Sequence, residues 1–195
     1  MTGRPIPFAN EPRPDTGLMN GRLGLWLVMA SEIMLFAGLF SALFFLKIGG
    51  TDWPVMSLDH GLPLINSMVV AVSALVLLLA GRAATRHAGE FRLLWSLGLA
   101  LGLLVLFIRS AEWSILLGMG RLPSSHNLFG IYFVLTGLHA ILMAGNLAVS
   151  GWILVSGPAL TRVDPARQRE RVYGAILHWL MLVVVWFLIW IGFFA

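Results

Sequence analysis

The sequence predicts an all-α integral membrane protein, a bundle of five transmembrane helices with the N-terminus cytoplasmic and the C-terminus on the opposite side. Three observations carry this. The 195 residues are 58% hydrophobic and only 11% charged, whereas a soluble domain carries about 25% charged residues; mean hydropathy is +0.87. The apolar residues gather into five runs, each close to the roughly 20 residues needed to cross the hydrocarbon core. The prolines at 5, 7, 12, 14, 54, 63, 123, 158 and 165 all fall outside those runs. Lipid offers no partner to a backbone group freed by proline, so this is where they belong.

Residues 1–21 form a polar arm holding Pro5, Pro7, Pro12 and Pro14. The arm lacks an apolar stretch and a small-residue cleavage pattern, so it reads as a cytoplasmic arm rather than a signal peptide. Residues 22–195 read as a single domain with spans at about 23–46, 64–80, 91–117, 128–155 and 172–194. The third span carries a GxxxG pair, Gly98 and Gly102. In the fourth, Gly130, Gly137, Ala144 and Gly151 recur every seven residues, and Thr136, Ala140, Ala144 and Ala148 every four. Such small residues let another backbone approach closely. The connections are short, so the helices form one antiparallel bundle.

Orientation follows from the basic residues. Arg4, Arg13, Arg22, Arg82, Arg86, Arg92, Arg162, Arg167, Arg169 and Arg171 fall at one end of the bundle, and only Lys47 and Arg121 at the other. Ten against two puts the N-terminus in the cytoplasm. Trp53, Trp152, Trp190 and Tyr173 stand near span ends, where interfacial aromatics sit. The net charge of +4 is carried by these connections, not by one soluble face, so no nucleic-acid partner is expected.

Five ionisable residues fall within spans: Glu32, Arg109, Glu112, His139 and His178. A charge near the bilayer centre costs on the order of 2.5–3.5 kcal/mol on insertion scales, so each needs a partner or a purpose. Glu32 lies ten residues beyond Arg22, about 15 Å deep at 1.5 Å per residue. His139 enters from the other side to nearly the same depth. The two are expected to meet, with Asn146 extending the polar face; the alternative is that each finds a separate partner. Arg109 and Glu112, three apart on one helix, can meet each other as a self-neutralising pair, or Glu112 can touch a proton or substrate path. His178 reads as a hydrogen-bonded packing residue.

No cysteine is present, which excludes disulfides and thiolate sites. Among the five histidines no two share a helix face, whereas haem and copper ligation need converging imidazoles. No catalytic, metal or cofactor-binding residues are therefore expected, and no active site of the chain's own.

The first span reads LGLWLVMASEIMLFAGLFSALFFL, with Ser31, Glu32, Met34 and Phe36 in a Ser-Glu-x-Met-x-Phe core. The fourth starts FGIYFVLTGLHA, and Glu112 is followed by Trp113. In order over essentially all five spans, these stretches resemble the short five-helix form of cytochrome c oxidase subunit III. The resemblance implies an accessory subunit of a membrane haem–copper oxidase in the bacterial inner membrane. Such a subunit binds catalytic subunit I and supports oxygen reduction coupled to proton translocation in the respiratory chain. Haem and copper are then expected in partner subunits, and bound phospholipid is compatible with it. The longer family form has two further N-terminal helices. The family's last helix carries Trp-His-x-x-Asp-x-x-Trp; aligning Trp179 and Trp186 puts Leu180 at the His and Val183 at the Asp. With Arg109, that marks a divergent branch. Alternatives are a subunit-III-like accessory protein of a nitric oxide reductase and an independent proton-coupled transporter.

Overall fold

A computed structural model of the chain describes residues 17–49, 61–84 and 87–194. Among them are five helices: α1 Asn20–Gly49, α2 Gly61–Ala83, α3 Ala88–Gly118, α4 Asn127–Val163 and α5 Pro165–Phe194. All five are long and apolar enough to cross a membrane. Even the 23 residues of α2 extend about 34 Å, against a hydrocarbon core of about 30 Å. Large apolar side chains such as Leu27, Met34, Phe45, Leu93, Phe107 and Ile141 stand on the outside, as they do where the surrounding solvent is lipid.

Helices α2, α3, α4 and α5 close a ring in which each packs on two neighbours, while α1 lies outside against α4 and α5. Cross-helix bonds fix the directions. Trp179 and Trp186 of α5 reach back to Ser73 and Ser67 of α2, so these helices run antiparallel. Arg22 meets Glu170 at one end and Lys47 meets Gly192 O at the other, so α1 and α5 run parallel. The described basic residues Arg22, Arg82, Arg92, Arg162, Arg167, Arg169 and Arg171 thus share one end of the bundle.

Packing depth differs between the ring and α1. In α1 only Met29, Phe36 and Leu43 are buried, seven residues apart, the seam of one helix lying along a groove. Its Ser31 and Ser41 hydroxyls bond the carbonyls of Leu27 and Ala37 one turn back, which satisfies them without a neighbour. Inside the ring, glycines bring helices close. A Cβ on Gly98 would stand 2.5 Å from Leu77, and one on Gly102 would stand 2.6 Å from both Leu147 and Trp179. The GxxxG pair therefore gives room to side chains of α2, α4 and α5.

Three expectations change. The small-residue face of α4 is packed along only part of its length: Thr136 is buried and a Cβ on Gly137 would stand 3.6 Å from the Trp113 ring, whereas Ala144 and Ala148 are exposed and open space lies where a Cβ on Gly151 would stand. The expected loop between the fourth and fifth spans shrinks to Asp164, because α4 runs on to Val163 and α5 begins at Pro165. Two capping devices make this tight corner: the Asp164 carboxylate accepts from Arg167 N at 3.0 Å, and Pro165 takes the first helical position, where no N–H is needed. Pro158 consequently lies inside α4, although beyond the apolar run. Helix α1 also takes in Asn20 and Gly21 from the expected arm. Trp53 lies outside the described residues.

Candidate functional site

Two polar networks lie among the helices. The first joins α1 to α5 and α4. Glu32 Oε2 is 2.8 Å from His178 Nε2, and each side chain keeps little exposure, 12% and 13%. Asn146 Nδ2 reaches both Ala175 O, at 3.0 Å, and His178 Nδ1, at 2.8 Å. Ser150 Oγ donates to Asn146 Oδ1 at 3.1 Å. The bond directions assign the imidazole tautomer. The Ala175 carbonyl can only accept, so the Asn146 amide nitrogen faces it and also donates to Nδ1. Nδ1 must then hold a lone pair and Nε2 the proton, which is donated to Glu32. In this arrangement the imidazole is neutral, and among the described residues no Lys or Arg is bonded to Glu32.

Here the sequence expectation is corrected. Glu32 meets His178, not His139. Depth alone could not decide, because α1 lies outside the ring against α4 and α5, and His139 points inward, where it is buried. His139 Nε2 donates to Leu182 O at 2.9 Å, a bond to an α5 carbonyl. Asn146 belongs to the polar face as expected, but serves His178. His178 is hydrogen-bonded, as expected, and through both ring nitrogens.

The second network lies inside the ring. Arg109 Nη1 donates to Glu112 Oε2 at 2.7 Å, as their spacing predicts. The structure adds what surrounds the pair. Tyr132 donates its hydroxyl to Glu112 Oε1 and accepts from Arg109 Nη1 at 3.0 Å. With its amide oxygen turned to the guanidinium, Asn66 accepts from Arg109 Nη2 at 3.2 Å and donates to Val105 O at 3.3 Å. The guanidinium lies 4.0 Å from the Trp186 ring centre, a cation–π contact, and the other neighbour of that ring is His139 at 5.8 Å. Arg109 and Glu112 are 3% and 6% exposed. Both charges are thus buried, opposite and bonded.

Sequence reasoning missed Tyr132, Trp186, Asn66 and Ser150. Tyr132 and Asn66 had a usable signal, since each is a polar side chain within or at the edge of an apolar run. Leu180 and Val183, where the family pattern would put His and Asp, are partly buried and pack against the apolar core. His126 caps α4, its Nδ1 accepting from Leu128 N at 3.0 Å. Near the basic end, Arg22 lies over Tyr173 and Arg171 over Trp152. Among the described residues, no group of three or more His, Cys, Asp or Glu side chains could hold a metal ion.

With the geometry in hand, comparison with known proteins adds kinship. No protein-family model matches the chain. It is similar to the heme-copper oxidase subunit I+III of Aeropyrum pernix, 26% identical over 180 residues. The match takes in 86% of this chain but 22% of that protein, so the chain spans about a fifth of its relative's length.

Proposed function

We propose that this chain is the accessory, subunit-III-type component of a membrane haem–copper oxidase. It binds and stabilises the catalytic subunit and supports oxygen reduction coupled to proton translocation. The observation that carries the reading is the likeness, over most of this chain, to about a fifth of a heme-copper oxidase subunit I+III. Five membrane helices that resemble about a fifth of a subunit I+III support assignment to the smaller, subunit-III part of such a protein. The side chains support the same assignment. Of the two buried or nearly buried histidines, His139 spends Nε2 on a carbonyl and His178 uses both nitrogens within the protein. On this reading haem and copper belong to the partners. The basic end is assigned to the cytoplasmic face of the bacterial inner membrane by the positive-inside rule.

Within this reading Glu32 is the residue of functional interest. It sits at the seam between the peripheral helix and the ring, with a neutral hydrogen-bond donor and, among the described residues, no bonded Lys or Arg. Glu112 serves structure, neutralised by Arg109.

The test is purification of the tagged full chain from its native membrane in mild detergent, with optical spectra of what accompanies it. A haem- and copper-bearing oxidase core is the expected companion. A non-haem-iron core would reassign the chain to a nitric oxide reductase complex. No haem-bearing partner, together with proton-coupled flux by the chain alone in vesicles, would replace the accessory role with transport.

A further inference from the structure

Along the seam between α1 and the ring, a glycine brings the helices close and polar groups follow one turn later. Gly174 has no side chain, and Leu25 of α1 lies against it, 3.3 Å from where a Cβ would stand. One turn further along α5 stands His178, and two turns further along α1 stands Glu32. The close approach thus sets the carboxylate beside the imidazole, Oε2 to Nε2 at 2.8 Å. On the other side of the imidazole, α4 is tied to α3 by Trp95, whose Nε1 donates to Ser150 O at 2.9 Å. One turn before Ser150 comes Asn146.

The Asn146 amide is used on every side. Its Oδ1 accepts from Ser150 Oγ, and its two amide hydrogens go to Ala175 O and to His178 Nδ1. A second proton on the imidazole would have to sit on Nδ1, where it would face an N–H. To receive it, the Asn146 amide would have to turn over. That gives up the bond to Ala175 O and sets Oδ1 against the same carbonyl. The carboxylate meets no such obstacle, because Oε2 accepts from Nε2 whether or not Oε1 carries a proton. Few other groups act on the pair. Among the described residues of α1, α2, α4 and α5, the titratable side chain nearest along the chain is Tyr173, five residues before His178, with Arg22 over its ring. Arg22 is itself bonded to Glu170, Arg171 lies over Trp152, and Arg82 stands at the basic end of α2. His139, seven residues before Asn146, is bonded to Leu182 O.

We propose that Asn146 is a positioning residue that holds His178 to a single proton, so that the Glu32–His178 pair takes up a proton only on the carboxylate. In this step a proton from water forms an O–H bond at Glu32 Oε1. No bond in the protein breaks, and the pair loses its negative charge with Nε2–H still donating to Oε2. The contact between α1 and α5 is therefore kept in both states. Protonation of the imidazole would instead make an ion pair of the two side chains and cost α4 its bond to α5. The assignment concerns hydrogen bonds within this chain and does not rest on the oxidase reading.

The test uses the full chain in detergent, isotope-labelled at histidine nitrogen and glutamate carboxyl. Nuclear magnetic resonance reads the protons on His178, assigned by the signals lost in His178→Gln. Infrared spectroscopy reads the Glu32 carboxyl, assigned with Glu32→Gln. Both are followed from about pH 8 to about pH 5, the window in which an imidazole ordinarily changes charge. Wild-type His178 should keep one proton, on Nε2, throughout, and any proton the pair gains should appear as a protonated Glu32 carboxyl. Asn146→Asp, which offers Nδ1 an acceptor, should make His178 doubly protonated over the whole range. Asn146→Leu, which removes the donor, should let it become doubly protonated toward the acid end. A wild-type His178 with two protons, or with its one proton on Nδ1, would overturn the proposal. So would either variant keeping the wild-type His178 signals. Should Asn146→Asp not fold, Asn146→Leu decides alone.

Discussion

The two polar networks are built from similar parts and differ in closure. Each has a carboxylate, a nitrogenous partner and a neutral hydrogen-bonding side chain. Around Glu112 the carboxylate faces a guanidinium, a tyrosine closes the pair, and an asparagine and a tryptophan ring complete the arginine's surroundings. Charges cancel, and the group lies inside the ring of four helices. Around Glu32 the partner is an imidazole whose other nitrogen is already taken by an asparagine donor. That carboxylate sits under α1, the helix with the fewest buried residues. A closed, neutral network contributes to holding the ring together. The open one lies at the edge of a peripheral helix, where fewer contacts depend on it.

Breaking the closed network should have the largest effect. Glu112→Leu strands a buried guanidinium, and loss of one partner of a buried pair costs about 3–5 kcal/mol. The midpoint of denaturation in mixed micelles should fall sharply. The double variant Arg109→Leu/Glu112→Leu should recover much of that loss, because removing both charges leaves none uncompensated. A double variant as unstable as the single one would show that the charges are not what matters. Tyr132→Phe should come next, at about 1.5–3 kcal/mol, the range for hydrogen bonds to charged groups, in the same titration. Glu32→Gln should cost less than about 1 kcal/mol, because a glutamine oxygen still accepts from His178 Nε2. Least of all should follow from Arg22→Gln. Its pair with Glu170 is 2.5 Å long, but the side chains are 35% and 28% exposed, and pairs of that kind contribute little. A drop as large as that of Tyr132→Phe would mean that α1 is held chiefly at its end, not along Met29, Phe36 and Leu43.

The fold was legible because hydropathy and proline placement act along the chain. Five runs long enough to cross lipid leave few other folds, and all five helices are found. Boundaries were less legible. The apolar pattern stops where the lipid stops, but α4 continues through Pro158 to Val163 and turns at Asp164, which only capping geometry reveals. The site was legible in part. Arg109 and Glu112 could be paired from their spacing alone, a property of one helix. Glu32 could not be paired correctly, because the choice between His139 and His178 depends on which groove α1 occupies. Depth puts both histidines within reach and says nothing of azimuth. The small-residue repeat of α4 holds only in its first half, where Thr136 and Gly137 meet Trp113: periodicity identifies a face but not how far along the helix a neighbour covers it.

The most direct measurement compares Glu32→Gln with Glu112→Gln in the native membrane. Recovery of the haem-bearing partner with the tagged chain is read beside the persistence of oxygen consumption during sustained turnover. On the proposed accessory role, Glu32→Gln should recover the partner at the wild-type level and lose activity faster as turnover proceeds. Glu112→Gln should accumulate poorly and bring down little partner. Wild-type persistence in Glu32→Gln, together with full recovery of the partner by Glu112→Gln, would contradict the division of the two networks into one that acts and one that holds.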